Sequence, residues 1–116
     1  MAKYIMVYIG GEHPSSPEEG KAHLEKYQQW IMSLGDAIIA PAVPFKDTHT
    51  VRPDRSAAPG STTAMSGLSI IRATSMAEAL EIAQSCPFLE INGTLEVSEM
   101  IEMSDTAPRS ANEKLN

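Results

Sequence analysis

Two serines, each followed three residues later by a glutamate, mark two helix starts in this 116-residue chain. Ser16-Pro17-Glu18-Glu19 and Ser75-Met76-Ala77-Glu78 match the capping box, in which the serine hydroxyl and the glutamate carboxylate each accept a backbone N–H. Apolar runs typical of strands lie before and after both helix starts. The predicted order is β-α-β-β-α-β, an α+β chain of ferredoxin-like type with an antiparallel sheet and two helices on one face.

The element bounds follow from apolar spacing and from residues that break helices. Strands are predicted over Lys3–Ile9, Asp36–Val43, Gly67–Arg72 and Thr94–Met103, and helices over Pro17–Leu34 and Met76–Ser85. Gly35 and Pro87 stop the two helices. The prolines near Val43 place the second strand at a sheet edge. In the long polar loop 45–64, a short extra strand is predicted at Thr48–Arg52.

Helical spacing predicts which sides of the helices pack on the sheet. The buried stripe of the first helix is predicted to comprise Leu24, Tyr27, Ile31 and Leu34, with Gly20, His23 and Trp30 on or beside it. The second helix is predicted to bury Met76, Ala79, Leu80 and Ala83. His23 is therefore expected at the edge of a buried face.

The first strand is apolar on both faces, because Tyr4, Met6 and Tyr8 alternate with Ile5, Val7 and Ile9. One layer of helices covers only one face of a sheet, so something else must bury the other face. A second copy of the sheet is the simplest cover. The sequence therefore predicts a homodimer.

Length, charge and cysteine content limit the functions that this chain can have. The pattern fits one domain over residues 1–103 and a polar, flexible tail over 104–116. A net charge of −6 and a pI near 4.9 disfavour nucleic acid and anionic membranes as partners. No apolar run approaches the roughly 20 residues of a membrane span. With Cys86 as its single cysteine, the chain is expected in the cytoplasm.

His23 is the strongest candidate for chemistry. An imidazole at a helix–sheet boundary can act as base, acid or hydrogen-bond donor, although a purely structural histidine fits the same position. Tyr8 and Tyr27 are candidate ligand-binding residues that could equally fill a core. Ser66, just before Gly67, is a further candidate where a ligand could approach the backbone, although a simple turn explains it as well.

Other chemistries lack support in the sequence. The three histidines lie on different elements without the spacing of zinc or iron sites, so no metal is predicted. No dinucleotide or phosphate-binding motif occurs, and no cofactor is predicted. Cys86 stands at a helix C-terminus, where the dipole disfavours a thiolate, so burial in the core is expected. The basic residues of loop 45–64 could hold an anionic ligand or simply face solvent.

Several short motifs, in this order, resemble the YCII-related family of small dimeric ferredoxin-like proteins. They are Lys3-Tyr4-Ile5-Met6-Val7-Tyr8, Ala22-His23-Leu24, Ala40-Pro41-Ala42-Val43-Pro44, Ser66-Gly67-Leu68-Ser69-Ile70, and Cys86-Pro87 followed by Gly93-Thr94-Leu95-Glu96-Val97. The resemblance implies a helix histidine paired with an aspartate in an Asp-Pro after the second helix, and one member removes chloride from a chlorinated hydroxyquinol. Only His23 carries over, because Cys86 precedes Pro87 here.

Three functions remain open from the sequence. The first is binding of a small aromatic or carboxylated molecule in a cleft between the first helix and the sheet, with His23 as a base for proton transfer or elimination. The second is a dimeric assembly module without catalysis. The third is a cofactor-free monooxygenase or isomerase of the dimeric α+β barrel type.

Overall fold

The computed structural model describes residues 1–101, which form a four-stranded antiparallel sheet, two helices and a separate two-stranded hairpin. The strands and helices are β1 (Ala2–Gly10), α1 (Pro17–Leu34), β2 (Ile38–Pro44), β3 (His49–Val51), β4 (Ala57–Pro59), β5 (Met65–Ala73), α2 (Met76–Gln84) and β6 (Gly93–Glu99). Short 3₁₀ helices at Gly35–Ala37 and Pro87–Ile91 follow α1 and α2. The main sheet has the order β2-β5-β1-β6. The predicted ferredoxin-like α+β fold is confirmed.

Both helices begin where the serine–glutamate pairs predict. The hydroxyl of Ser16 accepts the N–H of Glu19 at 3.1 Å, and the hydroxyl of Ser75 accepts the N–H of Glu78 at 3.2 Å. In a capping box the glutamate accepts the N–H of the capping serine. Here Glu78 instead accepts the N–H of Thr74, one residue before Ser75, at 3.1 Å. Each helix start thus gains the serine half of the predicted motif.

Alternation along β1 and β5 divides the sheet into a helix-covered face and an open face. In β1, Tyr4, Met6 and Tyr8 are buried, whereas Ile5, Val7 and Ile9 are only half-buried. The register aligns β5 with the same alternation. We call the face of Tyr4, Met6 and Tyr8 the covered face and the face of Ile5, Val7 and Ile9 the open face.

The helices pack on the covered face through a slightly different stripe from the one predicted. Leu24 is 57% exposed, so its assignment to the buried face of α1 is wrong. The stripe is centred on Tyr27 and Trp30, and Leu24 lies about a quarter turn away from that centre. Met76 and Leu80 of α2 are also exposed. Ala79 and Ala83 are the buried residues of α2, and their small side chains fit close to the sheet.

The edge strands and the long loop can be compared with the sequence predictions. Strand β2 lies at one edge, as its prolines predict, and β6 lies at the other. Strand β6 ends at Glu99, four residues before the predicted end. Residue 103 and the predicted polar tail, 104–116, lie outside the described residues. The extra strand predicted in the long loop is confirmed as β3, which pairs with β4.

Neither helix in residues 1–101 combines the length and the apolar character that crossing a bilayer requires.

Candidate functional site

The phenols of Tyr8 and Tyr27 meet beneath α1. Strand β1 carries Tyr8 on its covered face, and the buried stripe of α1 carries Tyr27 above it. The hydroxyl of Tyr27 donates to the hydroxyl of Tyr8, and the hydroxyls of Tyr8 and Ser69 are hydrogen-bonded to each other. Two of the four residues predicted from the sequence are thus brought into contact.

Cys86 extends this contact to the end of α2. Its thiol donates to the hydroxyl of Tyr27 at 3.8 Å, a reasonable distance for a sulfur hydrogen bond. We call the four linked groups of Ser69, Tyr8, Tyr27 and Cys86 the hydroxyl chain. All four residues are buried. Within residues 1–101, no buried side-chain nitrogen or oxygen lacks a hydrogen-bond partner.

Burial keeps the members of the hydroxyl chain neutral. It raises the pKa of Tyr8, an effect that hydrogen bonds to Ser69 and Tyr27 only partly oppose. Burial also raises the pKa of Tyr27 and of the Cys86 thiol. Cys86 is therefore a protonated core residue at neutral pH, as its position at a helix C-terminus predicts, and not a nucleophile.

Aromatic rings surround the hydroxyl chain. Phe88 stacks on Tyr8 with ring centroids 4.9 Å apart and 22° between the planes. Trp30 packs edge-on against Tyr27 at 5.4 Å, and its Nε1 donates to the hydroxyl of Ser85 at 2.8 Å. These contacts fix the two phenols from both sides.

His23 lies at the rim of the hydroxyl chain. It is half-buried, and its ring is edge-on to Tyr27, with centroids 6.0 Å apart at 65°. Glu90 lies close enough to His23 for the two side chains to interact electrostatically. Lys26 donates to Glu90 at 2.8 Å and lowers the pKa of that carboxyl, and the charge of His23 acts in the same direction. A polar rim of His23, Lys26 and Glu90 thus borders the buried hydroxyls.

Ser66, the fourth predicted site residue, is placed apart from these groups. Its hydroxyl donates to the main-chain oxygen of Tyr8 at 3.3 Å and not to the phenol. Beside it, a Cβ on Gly67 would lie 2.8 Å from the carbonyl oxygen of Val43. Glycine is needed here because β2 and β5 approach closely. Ser66 and Gly67 therefore have a clear role in strand packing.

Sequence reasoning missed two members of this region. Ser69 could have been found, because alternation places its hydroxyl on an otherwise apolar covered face beside Ile71. Glu90 carried no such signal, since it follows Pro87 in an irregular segment whose direction the sequence does not fix. Its proximity to His23 depends on the way the 3₁₀ helix turns back towards α1.

A groove of about 280 Å³ lies between α2 and β6. Its lining is mainly apolar, from Leu80, Ala83, Leu89, Leu95 and Val97. None of the predicted site residues lines it. In residues 1–101 there is also no group of three or more His, Cys, Asp or Glu side chains that could hold a metal ion.

Comparison with known proteins supports the fold. No protein-family model matches the chain, and no curated protein sequence matches it. Among solved structures, the chain is similar to 5-chloro-2-hydroxyhydroquinone dehydrochlorinase from Burkholderia phenoliruptrix, solved in complex with 2,5-dihydroxybenzoquinone. The TM-score is 0.55 at 14% identity, and the match covers 87% of this chain and 95% of that enzyme. At this identity the likeness establishes a shared α+β fold.

Proposed function

We propose that this protein is a YCII-related homodimer that binds a small aromatic or carboxylated molecule beside His23. The observation that carries the proposal is the position of His23, half-buried and edge-on to Tyr27, at the rim of the hydroxyl chain. This rim combines an imidazole with aromatic surface and nearby charge.

His23 suits proton transfer with a hydroxylated ring. Its imidazole can take the proton of a ligand hydroxyl. In the keto tautomer of a chlorinated hydroquinone, whose chlorine-bearing carbon is tetrahedral, the electron pair of that O–H bond forms a C=O, the adjacent ring double bond shifts, and chloride leaves to give a quinone. Cys86 occupies the position that an aspartate holds in the catalytic relatives implied by the sequence resemblance. A neutral thiol cannot stabilise an imidazolium, so we expect Glu90 to be the acidic partner available to His23.

Family membership is supported by two independent observations. The motifs from Lys3-Tyr4 to Gly93-Thr94 occur in the order of the YCII-related family. The chain also shares its fold with a dehydrochlorinase whose structure contains a dihydroxybenzoquinone. Together they make hydroxylated and quinoid rings the first compounds to test.

A thermal-shift screen tests the binding site. Wild type, His23→Ala and His49→Ala are heated with 2,5-dihydroxybenzoquinone, hydroquinones and benzoates. A ligand at 100 times its Kd stabilises the folded state by about 2.7 kcal/mol, which raises the unfolding midpoint. We expect the shift in wild type and in His49→Ala, whose histidine is exposed in the β3–β4 hairpin, and its loss in His23→Ala.

Two outcomes contradict the proposal. An equal shift in all three proteins shows that His23 does not contact the ligand. No shift with any compound, with all three proteins folded, removes the small-molecule site. Any compound that passes the screen is then assayed for turnover, through quinone absorbance or released chloride.

The open face of the sheet favours a second candidate, a dimeric assembly module without catalysis. Ile5, Val7 and Ile9 of β1 and Leu68 and Ile70 of β5 are aliphatic and only half-buried. A second copy packed on this face would complete their burial. Sedimentation of wild type and Val7→Glu distinguishes the states: we expect a dimer that the central charge disrupts. A dimer that binds none of the screened compounds would favour the assembly module.

A further inference from the structure

The segment 45–64 stands away from the rest of the described chain. It contains the β3–β4 hairpin, and we call it the arm. Within the arm only Thr48, Thr50 and Ala58 are partly buried, and every other residue is exposed. Neither β3 nor β4 packs closely on the helices or on the main sheet. An isolated two-stranded hairpin is at best marginally stable in water, so an additional surface is expected to support it.

Backbone hydrogen bonds join the base of the arm to the main sheet. At its base, the N–H of Phe45 donates to the carbonyl of Ser66 at 2.9 Å, and the N–H of Gly10 donates to the carbonyl of Ala64 at 2.9 Å. The Phe45 bond continues the pairing of β2 with β5, and the Gly10 bond continues the pairing of β1 with β5, up to the point where the arm leaves. Inside the arm, the N–H of Gly60 donates to Thr48 at 2.8 Å. The arm is thus a hydrogen-bonded hairpin that is tied to the main sheet at its base.

Exposed apolar side chains connect the arm to the open face. Val43 pairs with Leu68, and Met65 pairs with Ile9, so both lie on the open face at the base of the arm. Both are exposed, and Val51 near the tip of the arm is 69% exposed. Exposed apolar side chains therefore occur both at the base of the arm and near its tip, as is typical of an interaction surface.

The charge of the arm is opposite to that of the body. The arm has three basic and two acidic residues, whereas the rest of residues 1–101 has four basic and ten acidic residues. A second copy of this chain offers an acidic body to this basic arm. In a two-fold dimer the same contact forms twice.

We propose that the arm of each copy lies on the body of the other, so that two arms hold the homodimer formed through the open faces. This inference rests on the proposed homodimer. The apolar side chains along the arm would then be buried, and its basic residues would face the acidic partner surface.

Two variants test the role of the arm. In one, residues 47–62 are replaced by a short Gly-Ser linker, which leaves the pairing of Phe45 with Ser66 in place. In the other, Val51→Asp puts a charge into the proposed contact. Met32→Asp is the matched control, because Met32 is 78% exposed on α1 and lies outside the proposed interface. Circular dichroism checks that each variant is folded.

Sedimentation equilibrium over a range of protein concentrations gives the dimer dissociation constant. We expect the shortened arm and Val51→Asp each to raise it by about tenfold or more, with Met32→Asp unchanged. If the shortened variant dimerises as tightly as wild type, the arm proposal is wrong and the homodimer stands. If wild type is monomeric at every concentration, the homodimer and the arm contact both fail. The ligand screen with His23→Ala reports on the binding site separately.

Discussion

The two faces of the sheet are the reverse of what is expected, because the covered face contains hydroxyl groups and the more open face is aliphatic. The covered face carries the polar groups, with the hydroxyls of Tyr8 and Ser69 deep beneath the helices. The open face carries aliphatic side chains such as Ile5, Val7 and Ile70, which are only half-buried. Buried hydroxyls are tolerated because each one has a partner. Half-buried aliphatic side chains of this kind are typical of an interaction surface, the role that the proposed homodimer gives to this face. The comparison therefore separates a face suited to chemistry from a face suited to assembly.

The largest expected effect comes from two neighbouring isoleucines on opposite faces. Ile71 is 0% exposed on the covered face, so Ile71→Ala should lower the free energy of unfolding by about 2–5 kcal/mol. Ile70 points to the open face and is half-buried. We expect Ile70→Ala to cost less in the monomer and to act mainly by weakening the dimer.

Urea denaturation at two protein concentrations measures both effects. The loss in Ile71→Ala should be nearly the same at both concentrations, whereas the loss in Ile70→Ala should depend on concentration. Equal, concentration-independent losses would show that the open face is not an interface.

The fold was largely predictable because its signals are local. The serine–glutamate pairs, the alternation along β1 and the stop at Gly35 each involve residues a few positions apart. The rotation of the helices was less predictable. Leu24 fits helical spacing as well as His23 does, and only contact with the sheet places Tyr27 and Trp30 at the centre of the buried stripe.

The candidate site was predictable only in part for a related reason. Tyr8, Tyr27 and His23 stood out as reactive side chains on elements expected to pack together. Whether Ser66 or Ser69 meets the phenol of Tyr8 depends on strand register and alternation. Glu90 comes near His23 through an irregular turn, for which the sequence contains no periodic signal.

The second prediction concerns a substitution in β6 that distorts the covered face. A Cβ on Gly93 would lie 2.2 Å from ring carbons of Phe88, which stacks on Tyr8. Gly93→Ala should therefore cost about 1–3 kcal/mol of unfolding free energy and move Phe88 off Tyr8. Urea denaturation and near-ultraviolet circular dichroism measure the two effects.

A glycine in α1 provides the control for Gly93. A Cβ on Gly20 would meet Pro14 at 3.3 Å, within reach of a small adjustment, and alanine favours the helix. Gly20→Ala should leave the aromatic signal unchanged and alter the stability by less than about 1 kcal/mol. If Gly93→Ala behaves in the same way, Phe88 is not held as tightly as the stacking indicates.

The third prediction uses alkaline pH to probe the hydroxyl chain. Burial raises the pKa of Cys86 above its ordinary 9.0 and the pKa of Tyr8 above 10.0. In the unfolded chain these groups lose protons first, so the unfolded state binds fewer protons and stability falls as pH rises. The free energy of unfolding should be insensitive to these groups below about pH 8 and lower by roughly 1 kcal/mol at pH 10.

Urea denaturation across this pH range measures the fall, and Cys86→Ala provides the comparison. The variant removes the group with the lowest ordinary pKa, so its decline should begin about one pH unit later. A decline that starts at the same pH in both proteins would show that the thiol does not contribute to it.

The smallest expected effect separates the chemistry of the covered face from its packing. Tyr27→Phe keeps the ring against Trp30 and His23 but removes the hydroxyl that joins Tyr8 to Cys86. Tyr8 retains its hydrogen bond with Ser69, so the loss should be only about 0.5–1 kcal/mol. Tyr4→Phe is the matched control, because the hydroxyl of Tyr4 reaches Glu99 at 3.5 Å near the opposite end of β1.

The two tyrosine variants should differ in ligand binding more than in stability. Neither substitution touches the open face, so both proteins should sediment as wild type does. If the hydroxyl chain orients the groups beside His23, Tyr27→Phe weakens the thermal shift with a bound ring and Tyr4→Phe does not. Equal ligand shifts in the two variants would confine the site to His23 and the surface around it, and the hydroxyl chain would then be a feature of the core alone.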